Sequence, residues 1–521
     1  MSDTLPKHLA GLLRPQAYPH PVDAVSVVET HLSWVLLTGQ VAYKIKRPVC
    51  FPFVDLRSPE RRAFFCAEEL RLNQRFAPEL YQGVCPIVLR NGGASIGGPG
   101  EPVERAVKMV QFPREHELDQ LLEQDNIAPA ELEEFGRDLA AVHAVLPVAE
   151  PPTPWGDPQA IRTTIDNNLE EATRAAAVFD GASDVRALRP ELDRCMAEAE
   201  PWMADRRDDG RVRECHGDLH AANIVRLESR LVAFDCMEFE PAFRWIDVAD
   251  EVAFLLADLE ARESLLQGHA FLAGYLASSG DYQACRLLPL YRAHRALVRA
   301  KVTALSRSAT QRSDSEDLGR ARHRAYLDCA ATALARQRPL LILMSGLSGS
   351  GKTWLAQRLA PLLHAVHLRS DVERKRLAGL GESSRSGAAV AKGMYSAGFT
   401  RRVYEHLAGA TEDVLAGRYN VIVDATFARR DDRGVFRKLA RRLGTGVCLI
   451  HCRAPHELLV KRIVARHLQG EDPSEADVSV LDWQKEHWEP IGADEQWSVI
   501  PVETGEVDLE LLSQRINALH T

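Results

Sequence analysis

Hydrophobic and polar positions change their period along the chain, and the changes divide it. From Val25 to Lys46 the apolar residues alternate or run in short blocks, Val25–Glu29, Trp34–Thr38 and Val41–Lys46, with Thr38-Gly39-Gln40 between the last two. That pattern predicts three strands, the last pair joined by a hairpin turn. Glu60–Phe76 carries apolar residues at helical spacing, and Gly83–Leu89 and Val103–Gln111 predict two more strands. Past about residue 115 helical periodicity takes over, in Glu131–Val145, Ile161–Val178, Ala242–Ala261 and Arg292–Leu305, interrupted near 212–236 by short strand-like runs. Strands first and helices afterwards predict a small β-rich lobe above a helical lobe.

The polar stretch Ser306–Gly319 has no strong apolar period; after the helical segment Arg320–Arg336, Pro339 opens a new apolar strand, Leu340–Met344. A boundary near 337 follows. It gives an α+β domain over 1–336, with a small lobe over about 1–112 and a helical lobe over about 113–336, and an α/β domain over 337–521. A prior of ~150 residues per domain suggests about three units for this length, which two lobes and one further domain satisfy.

Composition narrows the class. Hydrophobic residues make up 45% and charged residues 26%, which excludes collagen-like and wholly disordered chains. The net charge of −9 comes from 73 acids against 64 bases, so no global charge draws the protein to nucleic acid or an anionic membrane. Ten cysteines without a C-x-x-C pair are too dilute for a disulfide scaffold and predict reduced thiols. No apolar run approaches the ~20 residues that span a bilayer, and Met1–Pro15 lacks the apolar core of a signal peptide. The expectation is a soluble cytoplasmic protein without a membrane partner; nothing here sets its oligomeric state.

The first candidate chemistry lies at 215–225, C-H-G-D-L-H-A-A-N-I-V, with an apolar run that ends at Asp235 downstream. Phosphoryl transfer from ATP to a hydroxyl needs an Asp to orient the acceptor and take its proton, and oxygen ligands to hold Mg²⁺ on the phosphates. The order Asp218, Asn223, Asp235 supplies a base and then two metal ligands. Upstream, Val41-Ala42-Tyr43-Lys44 puts a small residue and a lysine on one strand face, with Lys44 to reach phosphate. Lys46 shares that face and is the rival for the phosphate contact. The ion-pair partner belongs on the following helix, at Glu69, with Glu68 the rival. Asp247 reads as structural, and Asp250 and Glu251 as solvated or network residues.

These four elements resemble the aminoglycoside/choline phosphotransferase family, which implies a bilobal protein-kinase-like fold over about 1–336. It also implies the roles just given to Lys44, Glu69, Asp218, Asn223 and Asp235. A G-x-G-x-x-G loop is missing before the lysine strand, so Glu29–Ser33 would have to cover the phosphates.

The second candidate follows Leu340–Met344: Ser345-Gly346-Leu-Ser-Gly349-Ser-Gly351-Lys352-Thr353, then an apolar helix from Trp354. Between a strand and a helix, Gly346, Gly349 and Gly351 let backbone amides curl around phosphate at a helix N-terminus. Lys352 would contact the β- and γ-phosphates, and Thr353 would bind Mg²⁺. Asp371 and Arg374, in an Asp-x-x-Arg run, suit an acceptor hydroxyl and an anion respectively. Tyr419–Val423 ends at Asp424, a further metal-holding position, and Gly446–Cys452 precedes a helix with Arg462 and Arg466 on one face as a lid. The basic run Arg429–Arg442 reads as a solvated helix face, since no interleaved aromatics support a nucleic-acid groove.

Residues ~338–521 thus resemble small P-loop kinases of the gluconate kinase, zeta-toxin and polynucleotide-kinase type, and the whole looks like a bacterial family that fuses the two halves. The function expected is a bifunctional, ATP- and Mg²⁺-dependent phosphotransferase, the first half acting on a hydroxyl of a small polar acceptor such as a sugar or aminoglycoside-like compound. A C-terminal polynucleotide 5′-kinase, or one half serving as a nucleotide-responsive regulatory or partner-binding module, are the alternatives; a nucleic-acid partner is not favoured.

Overall fold

The computed structural model describes residues 5–51, 54–90, 93–308, 314–381, 393–469, 477–495 and 498–520. The first lobe is a six-stranded antiparallel sheet in the order Ser26–Glu29, Ser33–Leu37, Val41–Lys46, Pro102–Val110, Tyr81–Arg90, Gly93–Ile96. The five strands expected are present with ends moved by one or two residues; Gly93–Ile96 is too short to carry a readable period. Period-two alternation sends Tyr43 and Ile45 into one core, with Leu9, Leu12 and Trp34. Ala42 points to the opposite face, against Cys66 of the helix Pro59–Asn73 and Val107. That helix starts where Ser58 accepts the Arg61 N–H and Pro59 takes the first turn.

The second lobe is helical. Pro129–Val145 and Leu265–Ser279 approach so closely that a Cβ on Gly136 would stand 2.2 Å from the Phe271 carbonyl oxygen, and one on Gly274 would stand 1.9 Å from that of Glu133. Leu265–Ser279 and Arg189–Asp208 were not expected as helices. The first is apolar nearly all round and carries two glycines, and the second contains Pro190 and Pro201, so neither presents a clean stripe. The single helix expected over Ala242–Ala261 is three elements: a turn of helix Pro241–Arg244, a strand Trp245–Asp247 paired with Val212–Glu214, and the helix Val248–Ala261. Asp247 makes the break, because its carboxylate caps the new helix by accepting the Ala249 N–H at 2.8 Å. The polar segment Ser306–Gly319 takes in the end of the helix Leu288–Ser308 and the start of the helix Asp314–Leu334, which begins before the Arg320 expected, with 309–313 outside the described residues.

Residues from Leu340 onward build a parallel five-stranded sheet in the order Ala365–Arg369, Asn420–Asp424, Leu340–Ser345, Gly446–Arg453, Ser498–Glu503. The central strand is buried along its whole length, which is why it reads as an unbroken apolar run. One face packs on the helices Lys352–Leu362 and Leu509–Asn517 through Leu355, Leu359 and Ile516. The other face, with Leu341, Leu343, Val421 and Val423, joins a continuous core that includes Leu287, Leu288 and Tyr291 of the first half. The two halves are therefore packed against each other. Among the described residues no helix is long and apolar enough to cross a membrane, and all ten cysteines are free thiols.

Candidate functional sites

The first site is organised around the loop between Val212–Glu214 and the hairpin Ile224–Leu227/Arg230–Ala233. Buried carboxylates pin its backbone. Glu251 accepts the N–H groups of His216 at 2.6 Å and Gly217 at 2.9 Å, and Asp258 accepts that of Ala221 at 2.9 Å. His216 Nε2 bonds the Phe234 carbonyl at 2.8 Å, tying the loop to the segment that carries Asp235. Gly217 has φ +84°, and a Cβ there would meet the Phe243 carbonyl at 2.7 Å, so the close approach requires glycine.

Asp218 and Asn223 are brought together: the Asn223 amide donates to both the Asp218 carbonyl, at 2.9 Å, and its Oδ2, at 3.1 Å. Asp218 is about one-third exposed, with His220 Nε2 at 3.5 Å. Burial works against its charge, but the neighbouring His220 and Arg299 outweigh it and hold the carboxyl below the usual range. It is an ionised carboxylate at neutral pH.

Lys44, on the strand Val41–Lys46, has its Nζ 2.8 Å from Glu69 and in direct contact with Asp235. Asp235 follows the strand in a left-handed conformation, φ +63°, with its N–H on the Tyr81 hydroxyl at 3.1 Å. Burial disfavours the Lys44 charge, yet Asp235 and Glu69 raise its pKa well above the ordinary value. Glu69, disfavoured by burial but flanked by Lys44 and Lys46, falls to about 2. Glu68 instead bonds Arg71 and Arg244. Lys46 is fully buried against Glu69, at 2.5 Å, and Glu238. Glu238 was missed in the sequence; the usable signal was that a second buried lysine must have its own carboxylate. The Glu29–Ser33 segment is a tight turn, with the Ser33 N–H on Thr30 Oγ1 at 2.9 Å.

Of the two readings left open for Asp250 and Glu251, solvated or network, the structure supports the network one. Both are buried, Asp250 against Arg295 at 2.7 Å and Glu251 beneath the loop that carries Asp218. Burial raises the Glu251 carboxyl to about 7 against the two N–H groups it accepts. Asp247 is structural, held by Arg206 at 2.8 Å.

The second site is a cavity of about 330 Å³ whose lining includes Gly349, Gly351, Lys352 and Thr353, together with Asp371 and Arg374. Asp424, Arg462 and Arg466 line the same cavity. Gly346, Gly349 and Gly351 have φ of +147°, +80° and +84°, and Cβ atoms on the first two would stand 2.5 Å and 2.7 Å from the Cys452 and Leu459 carbonyl oxygens. Lys352 folds over the loop and donates to the Gly346 and Leu347 carbonyls at 2.9 and 3.0 Å. Burial without a direct carboxylate partner lowers its pKa. Thr353 donates to Asp424 at 2.6 Å, and His367 Nε2 lies 3.3 Å from the same oxygen. Burial opposes the Asp424 charge, but those two groups and Lys352 bring its carboxyl to about 2.

Arg462 spans Thr504 Oγ1, at 2.8 Å, and the Gly349 carbonyl, at 3.3 Å. Arg374 donates to the Met394 carbonyl at 2.7 Å and to Thr400 at 3.2 Å. Gln484, which accepts the Ser348 N–H at 2.8 Å, and a stacked Trp483–His487 pair, centroids 4.3 Å apart, also line the cavity and were missed. Their i, i+4 spacing was the available signal. The basic helix Arg430–Leu443 is only partly solvated: Arg433 is fully buried on Glu495 at 2.7 Å, while Arg442 pairs with Glu412 near the surface.

Comparison with known proteins finds a family match for each half. Residues 55–288 match the model of the phosphotransferase enzyme family, and 341–491 match that of an AAA domain. The chain is a kinase-like two-domain protein, a phosphotransferase-family region followed by a P-loop region. It is 29% identical over 473 residues to an uncharacterized protein of Mycobacterium tuberculosis (strain H37Rv), covering 90% of this chain and 92% of that one. A counterpart from Mycobacterium bovis gives the same figures. Among solved structures, a gluconokinase from Sinorhizobium meliloti is 19% identical, covering 36% of this chain and 93% of that one at a TM-score of 0.25. A choline/ethanolamine kinase family protein from Mesorhizobium loti is 13% identical, covering 61% and 93% at a TM-score of 0.33.

Proposed function

We propose that the protein is a bifunctional ATP-dependent phosphotransferase with separate nucleotide sites in domains that divide near residue 337. The first half acts on a hydroxyl of a small polar acceptor, and the second is a P-loop kinase. The observation that carries the proposal is the contact of Lys44 with both Glu69 and Asp235, which joins residues far apart in sequence into one ion cluster, while His216 ties the Asp218 loop to the segment that carries Asp235.

In the first site Asp218, kept ionised, accepts the proton of the acceptor hydroxyl as the γ-phosphoryl group leaves ATP. Lys44 holds phosphate oxygens, and Glu69 fixes the lysine. The donor set suits Mg²⁺: Asn223 spends its amide nitrogen on Asp218, leaving its oxygen, and Asp235 adds a carboxylate. Asn223 and Asp235 would hold the ion, which neutralises phosphate charge when bound.

In the second site the loop amides and Lys352 take the β- and γ-phosphates, and Arg462 and Arg466 close over them. Asp371 orients the acceptor, with Arg374 as its anion contact. Thr353 and Asp424 are an oxygen pair fit to hold Mg²⁺ or its water shell.

The test is ATP consumption by the full chain against sugars, amino sugars, aminoglycosides, nucleosides and 5′-hydroxyl oligonucleotides, in wild type, Asp218→Ala and Lys352→Ala. A signal lost in one variant alone assigns that acceptor to that half. Oligonucleotide labelling lost only in Lys352→Ala makes the second half a polynucleotide 5′-kinase. Acceptor-dependent turnover untouched by Asp218→Ala in every case overturns the first assignment.

A further inference from the structure

The helix Ser370–Leu377 carries Asp371 and Arg374, yet it is held from behind by the other half of the chain. It has eight residues, and isolated helices shorter than ~12–15 residues are marginal in water, so its neighbours must fix its place. Glu373, between the two cavity residues in sequence, is fully buried. Its carboxylate accepts from the Tyr282 hydroxyl at 2.8 Å and from His406 Nε2 at 2.9 Å, and pairs with Arg376 at 3.0 Å. Arg376 reaches across as well, donating to the Ala277 carbonyl and, at 2.9 Å, to that of Ser278. Burial opposes the Glu373 charge, and His406, Arg376 and Tyr282 together hold its carboxyl below the ordinary value.

Tyr282 is itself firmly placed. It is 4% exposed and follows Asp281, which takes Arg206 at 2.7 Å; the same guanidinium holds Asp247 at 2.8 Å. Asp247 caps the helix Val248–Ala261, whose Glu251 and Asp258 pin the catalytic loop of the first site. Beside this chain, Arg286 pairs with Asp413 at 2.6 Å, and a Cβ on Gly417 would stand 2.2 Å from the Cys285 carbonyl oxygen. The junction is tightly packed.

We infer that Tyr282, in the first half, is a positioning residue for the second site: through Glu373 it sets the helix that carries Asp371 and Arg374. Acceptor-side geometry in the P-loop half then depends on the phosphotransferase-like half. The inference rests on the proposed roles of Asp371 and Arg374.

The test uses the full chain with Asp218→Ala to silence the first site, with and without Tyr282→Phe. Hydrogen exchange of amides 370–377 accelerates about tenfold in Tyr282→Phe, as expected for a lost buried hydrogen bond to a charged group. Exchange in 346–353 and 212–236 is unchanged. Affinity for a fluorescent ATP analogue stays within about twofold, whereas kcat for ATP turnover falls about tenfold at constant KM for ATP. Glu373→Gln, which alters the other partner of the same bond, gives the same split. Unchanged exchange in 370–377 together with unchanged kcat overturns the inference. Turnover that survives Lys352→Ala removes the kinase reading of the second site instead, and exchange in 370–377 then decides on Tyr282 by itself.

Discussion

Lys44 and Lys352 are assigned the same task, holding the phosphates of ATP, and their surroundings are opposite. Lys44 arrives on a strand and finds two carboxylates from other elements, which raise its pKa. Lys352 arrives at the start of a helix and finds only backbone carbonyls, and burial lowers its pKa. The first half thus builds its proposed phosphate site from distant side chains across two lobes. The second builds it from one local loop whose glycines and helix N-terminus supply the field. An ion cluster is part of the fold's own stability; a loop that waits for its ligand is not.

This contrast can be broken by experiment, and the largest effect belongs to the ion cluster. Glu69→Gln leaves Lys44 and Lys46 buried with one shared carboxylate removed, and is expected to destabilise the protein by about 3–5 kcal/mol, read by urea unfolding. Lys352→Ala, by contrast, abolishes nucleotide binding at the second site while stability stays within about 1 kcal/mol, because no carboxylate loses a direct partner. Equal destabilisation by the two variants would erase the distinction.

Gly349→Ala comes next. Its φ of +80° and the Leu459 carbonyl 2.7 Å from the added Cβ force the loop to move. Nucleotide affinity at the second site should fall about tenfold or more, a cost in the range of about 1–3 kcal/mol for backbone strain. Titration with a fluorescent ATP analogue measures it.

Acid sharpens the comparison in a different way. Asp424 has its carboxyl lowered to about 2 from an ordinary 3.8. Its stabilisation is fully present above the ordinary value and is lost as pH falls through about 2. Asp424→Asn should flatten the acid limb of the unfolding profile between those values; an unchanged limb contradicts the assignment. The smallest effect is expected for Glu68→Gln. Its ion pair with the half-exposed Arg71 is of a kind worth at most about 1 kcal/mol, its second partner, the buried Arg244, keeps Glu214 at 3.1 Å, and turnover at the first site should be unaffected. Loss of activity there would make Glu68, not Glu69, the lysine's functional partner.

How much of this was legible in the sequence also differs between the halves. The P-loop is contiguous, so Gly346 to Thr353 could be read directly, and the strand ending at Asp424 followed from its apolar run. In the first half the motif Asp218 to Asn223 was readable for the same reason. Lys44 and Glu69 needed the guess that a strand lysine meets a helix carboxylate, and helical spacing alone did not separate Glu68 from Glu69. The partners of Glu238, Glu251 and Asp258 were not legible, because an acid in an apolar run looks like any other until its partner across the fold is known. The break at Asp247 was hidden similarly, since a cap and an interior helix residue have the same letter. Tyr282 and Glu373 gave no signal, as their contact exists only once two domains are docked.

The central claim is that the chain holds two separate nucleotide sites. Equilibrium binding of a fluorescent ATP analogue with Mg²⁺ tests it most directly, in wild type, Lys44→Ala and Lys352→Ala. The account predicts two sites per chain in wild type and one in each variant, with the residual site different in the two. A single site in wild type, lost with one of the lysines and untouched by the other, would contradict it.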